Sequence, residues 1–343
     1  MATLAEVAAR AGLSVMTASR VLSGRGYVSD ASREAVLQAA KELDYVPNEV
    51  ARSLRRKRSR LVALIVSDIE NGYFAAIARA AESALAPHGY RLMVGNSDED
   101  AQLERELLRG VLEMRADALL ITPTPENGDL IERVRDGGLP TVQIDRAVPG
   151  LACSSILLDN ESAAAAAIEH LHARGHRRIA VISGPQEITT GAERSRGALD
   201  RGRSLGADVK AVAASSFLRS DSLNAVDEAL RWGPTAVMAG NNLILEACLT
   251  VFTERNISVP EDLSLVGFDD LPWMEWVKPS ITTLRQPIRT MTQAAVDHLL
   301  KALDSRDPAQ MPAPVTDRFP AELVERRSVR ALGDAGGGDG PAG

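Results

Sequence analysis

From Leu61 onward the sequence alternates short apolar runs with amphipathic stretches, and this alternation constrains the fold more than any other feature of its 343 residues. Leu61 to Ser67, Tyr90 to Val94, Ala118 to Thr122 and Thr141 to Ile144 are apolar runs of strand length. Helical periods over Ala75 to Leu85, Leu103 to Met114 and Leu130 to Val134 separate them. A second series starts at Ser155 to Leu158. It continues through a helix Ser162 to Arg174, a strand Ile179 to Ser183, a helix Glu193 to Leu205, and strands Thr235 to Ala239 and Leu263 to Gly267. Strands joined by helices run parallel, because a crossover long enough to hold a helix returns the chain to the same end of the sheet. The expectation is a doubly wound parallel α/β pattern occurring twice, two lobes whose strand carboxyl ends face each other across a cleft. Hydrophobic residues make up 45% of the chain, enough to bury a core in each lobe.

The beginning of the chain reads differently. Thr3, followed three positions later by Glu6, is the pattern of a capping box and starts a helix with Leu4, Val7, Ala8 and Ala11 on one face. Gly12 stops it. Ser14 caps a second helix, Val15 to Leu22, whose Ala18, Val21 and Leu22 pack back while Val15, Met16, Thr17 and Arg20 stay near its exposed N-terminal side. Ser29 caps a third helix carrying Ala31, Ala35, Val36, Ala39 and Leu43. Three short helices of this kind form an all-α helix-turn-helix module that presents its second helix to a DNA groove. Charge agrees: residues 1–60 hold eleven Lys and Arg against six Asp and Glu, whereas the remaining 283 hold 28 against 40. A basic head attracts phosphate backbones and an acidic body resists wrapping onto them.

Several function classes lack their apparatus in the sequence. No G-x-G-x-x-G follows a strand, and there is no phosphate-cradling G-x-x-x-x-G-K-[ST], no G-x-S-x-G elbow and no H-E-x-x-H. Gly24 and Gly26 fit a turn in the head. His170, His172 and His176 cluster in sequence, but i and i+2 point to different sides of a helix, so they make no metal site. Cys153 and Cys248 are too few and too far apart for a disulfide framework. No export signal and no membrane-length apolar stretch is read, so the expected location is the cytoplasm, in association with the nucleoid. Binding is expected, without catalysis, metal or cofactor.

The run from Thr3 to Gly24, TLAEVAARAGLSVMTASRVLSG, then Val28-Ser29 and Tyr45-Val46-Pro47-Asn48, resembles the LacI/GalR family of bacterial transcription regulators. The likeness continues to Leu323–Val329. It implies a helix-turn-helix domain over 1–46, a hinge helix and linker over 47–60, and an effector-binding and dimerisation core over 61–330 similar to periplasmic sugar-binding proteins. Within that core the N-lobe takes about 61–160 with 289–320 and the C-lobe about 161–288 with 321–330, linked by three crossovers; 331–343 is a disordered tail. It further implies a homodimer on a pseudo-palindromic operator, switched by a small solute, a sugar or sugar derivative being favoured. The Gly-rich tail has no leucine heptad for tetramerisation.

By this resemblance Val15, Met16 and Arg20 read base edges; Arg donates two hydrogen bonds to guanine, while Val and Met offer apolar contact. Ser14, Thr17, Ser19 and Ser29 hold phosphates. Asn48, Ala51, Leu54 and Arg55 belong to the hinge helix, too short to be stable alone, with Leu54 the wedge in the minor groove. A core leucine is the plain alternative, and the neighbouring Arg52, Arg55 and Arg56 make it awkward. Effector binding is implied for Tyr73, Phe74, Asp145, Thr190, Arg194, Phe217, Asn242 and Asp269, with Trp273 and Trp276 completing an apolar wall. Ordinary core aromatics, a surface Arg and helix-capping Asp residues remain the alternative readings from sequence. Asn242 stands where many relatives carry Asp. Three rivals stay open: a purine or nucleoside corepressor, a sugar-modifying enzyme with a basic head, and a phosphorylated partner protein docking on the N-lobe.

Overall fold

The computed structural model describes residues 2–23, 27–45, 59–305 and 313–332. The expectations for Asn48, Ala51, Leu54 and Arg55, for the Gly24 and Gly26 turn and for the tail from 333 lie outside the described residues. The chain divides into two compact units, 1–60 and 61–343.

In the first unit α1 (Leu4–Arg10) begins at the reciprocal box: Thr3 Oγ1 accepts from Glu6 N at 3.3 Å and Glu6 Oε2 accepts from Thr3 N at 2.7 Å. Gly12 turns the chain at φ +66°, a conformation that would strain a residue with a Cβ. Ser14 Oγ then accepts from Thr17 N at 3.1 Å and opens α2 (Val15–Ser23). Ser29 Oγ accepts from Ser32 N at 3.3 Å and opens α3 (Asp30–Glu42). Val7, Ala8, Ala18, Val21, Val36 and Ala39 are buried between the three helices. Arg10 and Glu42 close the module with an ion pair at 2.5 Å.

The second unit holds two six-stranded sheets. In chain order its elements are β1 (Leu61–Val66), α4 (Gly72–Leu85), β2 (Arg91–Asn96), α5 (Ala101–Glu113), β3 (Ala118–Ile121), α6 (Gly128–Asp136), β4 (Thr141–Asp145) and β5 (Ser154–Leu158). Then come α7 (Asn160–Ala173), β6 (Arg178–Ser183), α8 (Thr189–Leu205), β7 (Asp208–Ala213), α9 (Arg219–Arg231), β8 (Ala236–Ala239) and α10 (Asn242–Glu254). The chain continues through β9 (Ser264–Phe268), α11 (Trp273–Trp276), β10 (Thr282–Arg285), α12 (Ile288–Asp304), β11 (Thr316–Phe319) and β12 (Glu322–Val324).

The first sheet has order β11-β5-β4-β3-β1-β2 and the second β12-β10-β9-β8-β6-β7. All pairings are parallel except β10 with β12. Alternation along β1 sends Val62, Leu64 and Val66 to one core and Ala63 and Ile65 to the other, so the sheet is buried on both faces. One expectation is corrected. Ser154–Leu158 does not open the second series: it pairs with β4 from Val142↔Ser154 and with β11 from Thr316↔Ser155, inside the first sheet. The short connection 146–153 carries no helix, so the chain stays in the first sheet and crosses only after β5, at Asp159. The sequence reading also passed over β7, an edge strand whose Asp208, Lys210 and half-buried neighbours lack a continuous apolar run.

The chain returns to the first lobe between β10 and α12, which packs on α4, β3, β4 and β5, and leaves again between β11 and β12. Close packing of α7 on α8 depends on Gly197, where an added Cβ would lie 2.2 Å from Glu161 O. Among the described residues no helix is long and apolar enough to cross a membrane.

Candidate functional site

Two surfaces carry the candidate residues. On α2, Ala18 and Val21 are buried, which turns Val15 (49% exposed), Met16 (66% exposed) and Arg20 to solvent together. Three of the four hydroxyl residues are already partly engaged: Ser14 Oγ lies 2.9 Å from Thr17 Oγ1, and Ser29 Oγ donates to Ser32 Oγ at 2.9 Å. Ser19 is half-buried.

The second surface is a cleft of about 410 Å³, open to solvent, at the carboxyl ends of both sheets. Seven of the eight proposed effector residues line it: Tyr73, Phe74, Asp145, Thr190, Arg194, Phe217 and Asp269. Asn242 does not. Its side chain is fully buried behind the wall, where Nδ2 donates to Asn71 Oδ1 at 2.6 Å and its backbone N–H to Asp269 Oδ2 at 3.0 Å. Trp273 and Trp276 also fall outside the lining; Trp273 packs against the second-lobe core and Trp276 is 74% exposed. The reason is α11, a short helix that turns Met274 inward instead.

The walls follow from strand ends. After β1, Asn71 Oδ1 accepts from Tyr73 N at 3.0 Å and starts α4, which sets Tyr73 and Phe74 edge to face at 5.1 Å. Asp145 ends β4 and Asp269 follows β9, the corresponding strand of the other sheet; both are left-handed, with φ 72° and 80°. Gln286, at the second crossover, accepts from the Tyr73 hydroxyl at 3.1 Å and donates to Asp269 Oδ1 at 2.7 Å. Burial pushes the Asp269 carboxyl up, Asp145 adds to this, and Arg194 works against it. Burial likewise raises the Tyr73 phenol well above its ordinary value, helped by Asp145 and Asp269, so the hydroxyl stays a donor.

Arg194 on α8 is held from three sides: Nε donates to Asn160 Oδ1 at 2.8 Å, Nη1 donates to Gly240 O at 2.5 Å, and Cζ sits 3.9 Å over the Phe268 ring. Thr190 and Phe217 face it, and Arg146 Cζ lies 5.6 Å from the Phe217 ring.

Asp68, Asn71, Glu99, Arg146, Leu218, Asn241, Leu243 and Gln286 complete the lining, and the sequence reading assigned none of them. The rule that ligands gather beyond strand carboxyl ends reaches most of them, since they follow β1, β2, β4, β7, β8 and β10. Arg146 is the most consequential. Its Nη1 and Nη2 donate to Glu99 at 2.7 and 2.8 Å, and Nη2 also to Ser67 Oγ at 3.2 Å. Of the clustered histidines, His176 is held between Thr235 Oγ1 at 3.0 Å and Arg330 O at 3.2 Å.

Comparison with known proteins decides the family. Residues 3–48 match the model of bacterial regulatory proteins, lacI family, and residues 168–329 match the periplasmic binding protein-like domain. The ribose operon repressor of Bacillus subtilis (strain 168) is 33% identical over 96% of this chain and 99% of its own. The regulator GalR of Escherichia coli (strain K12) is 33% identical, with 96% of each chain covered.

The chain belongs to the lacI family. It is a DNA-binding transcription regulator with a helix-turn-helix head and a periplasmic-binding-protein-like body. The lac repressor dimer bound to operator and an anti-inducer is similar at a TM-score of 0.84 and 26% identity, over 96% of this chain and 99% of that one. A complex of the regulator CelR with cellobiose is similar at 0.69 and 29%, over 96% and 100%. In this lacI-family chain Val15, Met16 and Arg20 lie on an exposed helix face and seven of the eight effector candidates line one cleft.

Proposed function

We propose that this regulator is a cytoplasmic repressor that binds a pseudo-palindromic operator as a homodimer and is controlled by a neutral polyhydroxylated solute held in the cleft. Val15, Met16 and Arg20 read bases; Ser14, Thr17, Ser19 and Ser29 set register on phosphates. Residues 47–60 act as hinge, with Asn48, Ala51, Leu54 and Arg55 in the minor groove. The lobes are assigned as about 61–160 with 289–320 and 161–288 with 321–330. Tyr73, Phe74, Asp145, Thr190, Arg194, Phe217 and Asp269 bind the effector, and Asn242 supports Asp269 from behind.

One observation carries the choice of ligand. The cleft is lined by four carboxylates, Asp68, Glu99, Asp145 and Asp269, against two guanidinium groups, and that of Arg146 is spent on Glu99 and Ser67. A phosphorylated ligand would meet more negative than positive charge, whereas sugar hydroxyls donate to carboxylates and their ring stacks on the aromatic walls. The names of the ribose and cellobiose relatives point the same way. Relatives named PurR keep a purine as the second reading, since the same aromatic walls take a flat base.

Thermal shift of the full chain with neutral pentoses, hexoses and disaccharides, their phosphates, and purine bases separates these. The reading expects stabilisation by a neutral sugar alone. Stabilisation confined to a phosphorylated sugar or a purine overturns it. In the hinge, Leu54→Ala should weaken operator binding while leaving the thermal shift with sugar unchanged; unaltered operator affinity removes the wedge.

A further inference from the structure

Behind the cleft wall runs a chain of polar groups, buried from Arg194 through Asn160 to Glu193, that ends on the opposite lobe at the exposed Arg318. Asn160, 1% exposed, is the first residue of α7, directly after the crossover from β5. Its Oδ1 accepts from Arg194 Nε at 2.8 Å, and its Nδ2 donates to Glu193 Oε2 at 3.0 Å and to Leu158 O at 3.3 Å. Glu193 in turn accepts from Arg318 Nη2 at 2.7 Å and Nη1 at 3.1 Å. Arg318 sits on β11, the last strand of the first sheet before the chain crosses to β12, and its Nη1 also reaches Leu158 O at 3.3 Å. Two of the three crossovers therefore meet the arginine of the cleft in one network.

From this we infer that Asn160, oriented by the Glu193–Arg318 pair, is the positioning residue of Arg194 and couples its guanidinium to the lobe-joining segments. The amide orientation is dictated by chemistry. A guanidinium only donates and a carboxylate only accepts, so a residue bridging Arg194 to Glu193 needs one acceptor and one donor at a fixed separation, which an amide supplies and a carboxylate does not. With Nε held by Asn160, Nη1 by Gly240 O and Cζ over Phe268, the guanidinium has a single setting, and the remaining Nη2 edge is the one left for a ligand. Any ligand that pulls on this edge strains Asn160. Asn160 shares Glu193 with Arg318, so the strain reaches both β5–α7 and β11–β12. Closure of the lobes is then read through these hydrogen bonds, of which those from Asn160 to Arg194 and Glu193 are buried and costly to leave half-made. This rests on the proposed role of Arg194 in ligand binding, and it is tested without any ligand.

The experiment is hydrogen exchange at the Arg194 Nε–H of the full-length protein labelled with 15N-arginine, the resonance being identified by its loss in Arg194→Lys, together with thermal melts. Asn160→Ala should speed this exchange by about tenfold or more, because the acceptor is gone. Asn160→Asp keeps an acceptor for Arg194 but sets a carboxylate against Glu193. It should leave exchange slow while lowering Tm, and Glu193→Gln in the same chain should restore Tm by supplying the missing donor. General loosening of α7 would instead raise exchange in both Asn160 variants and give no rescue. Exchange unchanged within twofold in Asn160→Ala, or an Asn160→Asp loss that Glu193→Gln does not repair, overturns the inference. A failure of all sugars to bind would leave these outcomes intact and count only against the ligand reading.

Discussion

The two lobes share one strand order and place an aspartate in the left-handed region after corresponding strands, yet they use it differently. In the second lobe Asp269 accepts from Gln286 and from the Asn242 backbone N–H, so each carboxylate oxygen already holds one hydrogen bond before a ligand arrives. In the first lobe Asp145 has the Arg146 Nε at 3.6 Å, while the terminal nitrogens of Arg146 are tied to Glu99. Duplicated folds thus supply matching positions, and the neighbours decide how far each carboxylate is engaged before it meets a ligand. The cation follows the same division: the first lobe neutralises Arg146 internally, and the second presents Arg194 on a frame of Asn160, Gly240 and Phe268.

The largest effect that would break this contrast is at Arg194. Arg194→Ala should reduce solute affinity by about 2–4 kcal/mol, since a charge-assisted bond is lost and buried acceptors are left unpaired, while solute-free operator binding stays as in wild type. Isothermal titration of the full chain with the stabilising sugar measures it. An unaltered affinity would move the ligand to the first lobe's side of the cleft.

The next test applies one substitution to both lobes. Asp269→Asn turns one of the two accepting oxygens into an NH2 group that faces an N–H donor, and should cost roughly 1–2 kcal/mol of ligand-free stability, a Tm loss of about 2–4 °C per kcal/mol for a chain of this size. Asp145→Asn should leave Tm within about 1 °C and act on ligand affinity instead. Equal Tm losses at the two sites would erase the distinction between committed and available carboxylate.

Acid should separate the lobes by a smaller amount. In the second lobe, burial holds the His170 and His176 imidazoles below the ordinary 6.5. Their contribution is therefore present above pH 6.5 and lost as pH falls through the lower folded values. In the first lobe, Glu104 is fully buried, and that burial raises its carboxyl above 4.5 although Asn127 and Thr124 donate to it. Its contribution is full below pH 4.5 and lost as pH rises through the folded value, so moderate acid favours it. Amide exchange between pH 7.5 and 5 should then show protection falling first in β6 and β8, not in β1 and β3. The reverse order would contradict both assignments.

How much of this was legible in the sequence depended on whether a signal was local. The capping residues Thr3, Ser14 and Ser29 announce their helices within three positions, and the structure keeps all three caps. Apolar runs such as Leu61–Val66 declare strands buried on both faces. Periodicity alone makes Ser155–Leu158 the start of a second series, whereas the family resemblance keeps it in the first lobe, because sheet membership is settled by pairing with β4 and β11, the latter some 160 residues away in sequence. Asn242, Trp273 and Trp276 were misplaced because spacing from a strand end says which residues are near the cleft and not which side chains turn into it. Arg146, Glu99 and Gln286 are not legible locally because they matter through partners 17 to 213 positions distant.

The most direct test of the account is operator affinity of the full-length protein, measured by anisotropy on a duplex selected from genomic fragments, with and without the neutral sugar that stabilises the chain. Coupling through the body should change that affinity by about 5- to 150-fold in wild type and leave Arg194→Ala unmoved. Affinity indifferent to every neutral sugar, or an Arg194→Ala protein that responds as wild type does, would contradict it.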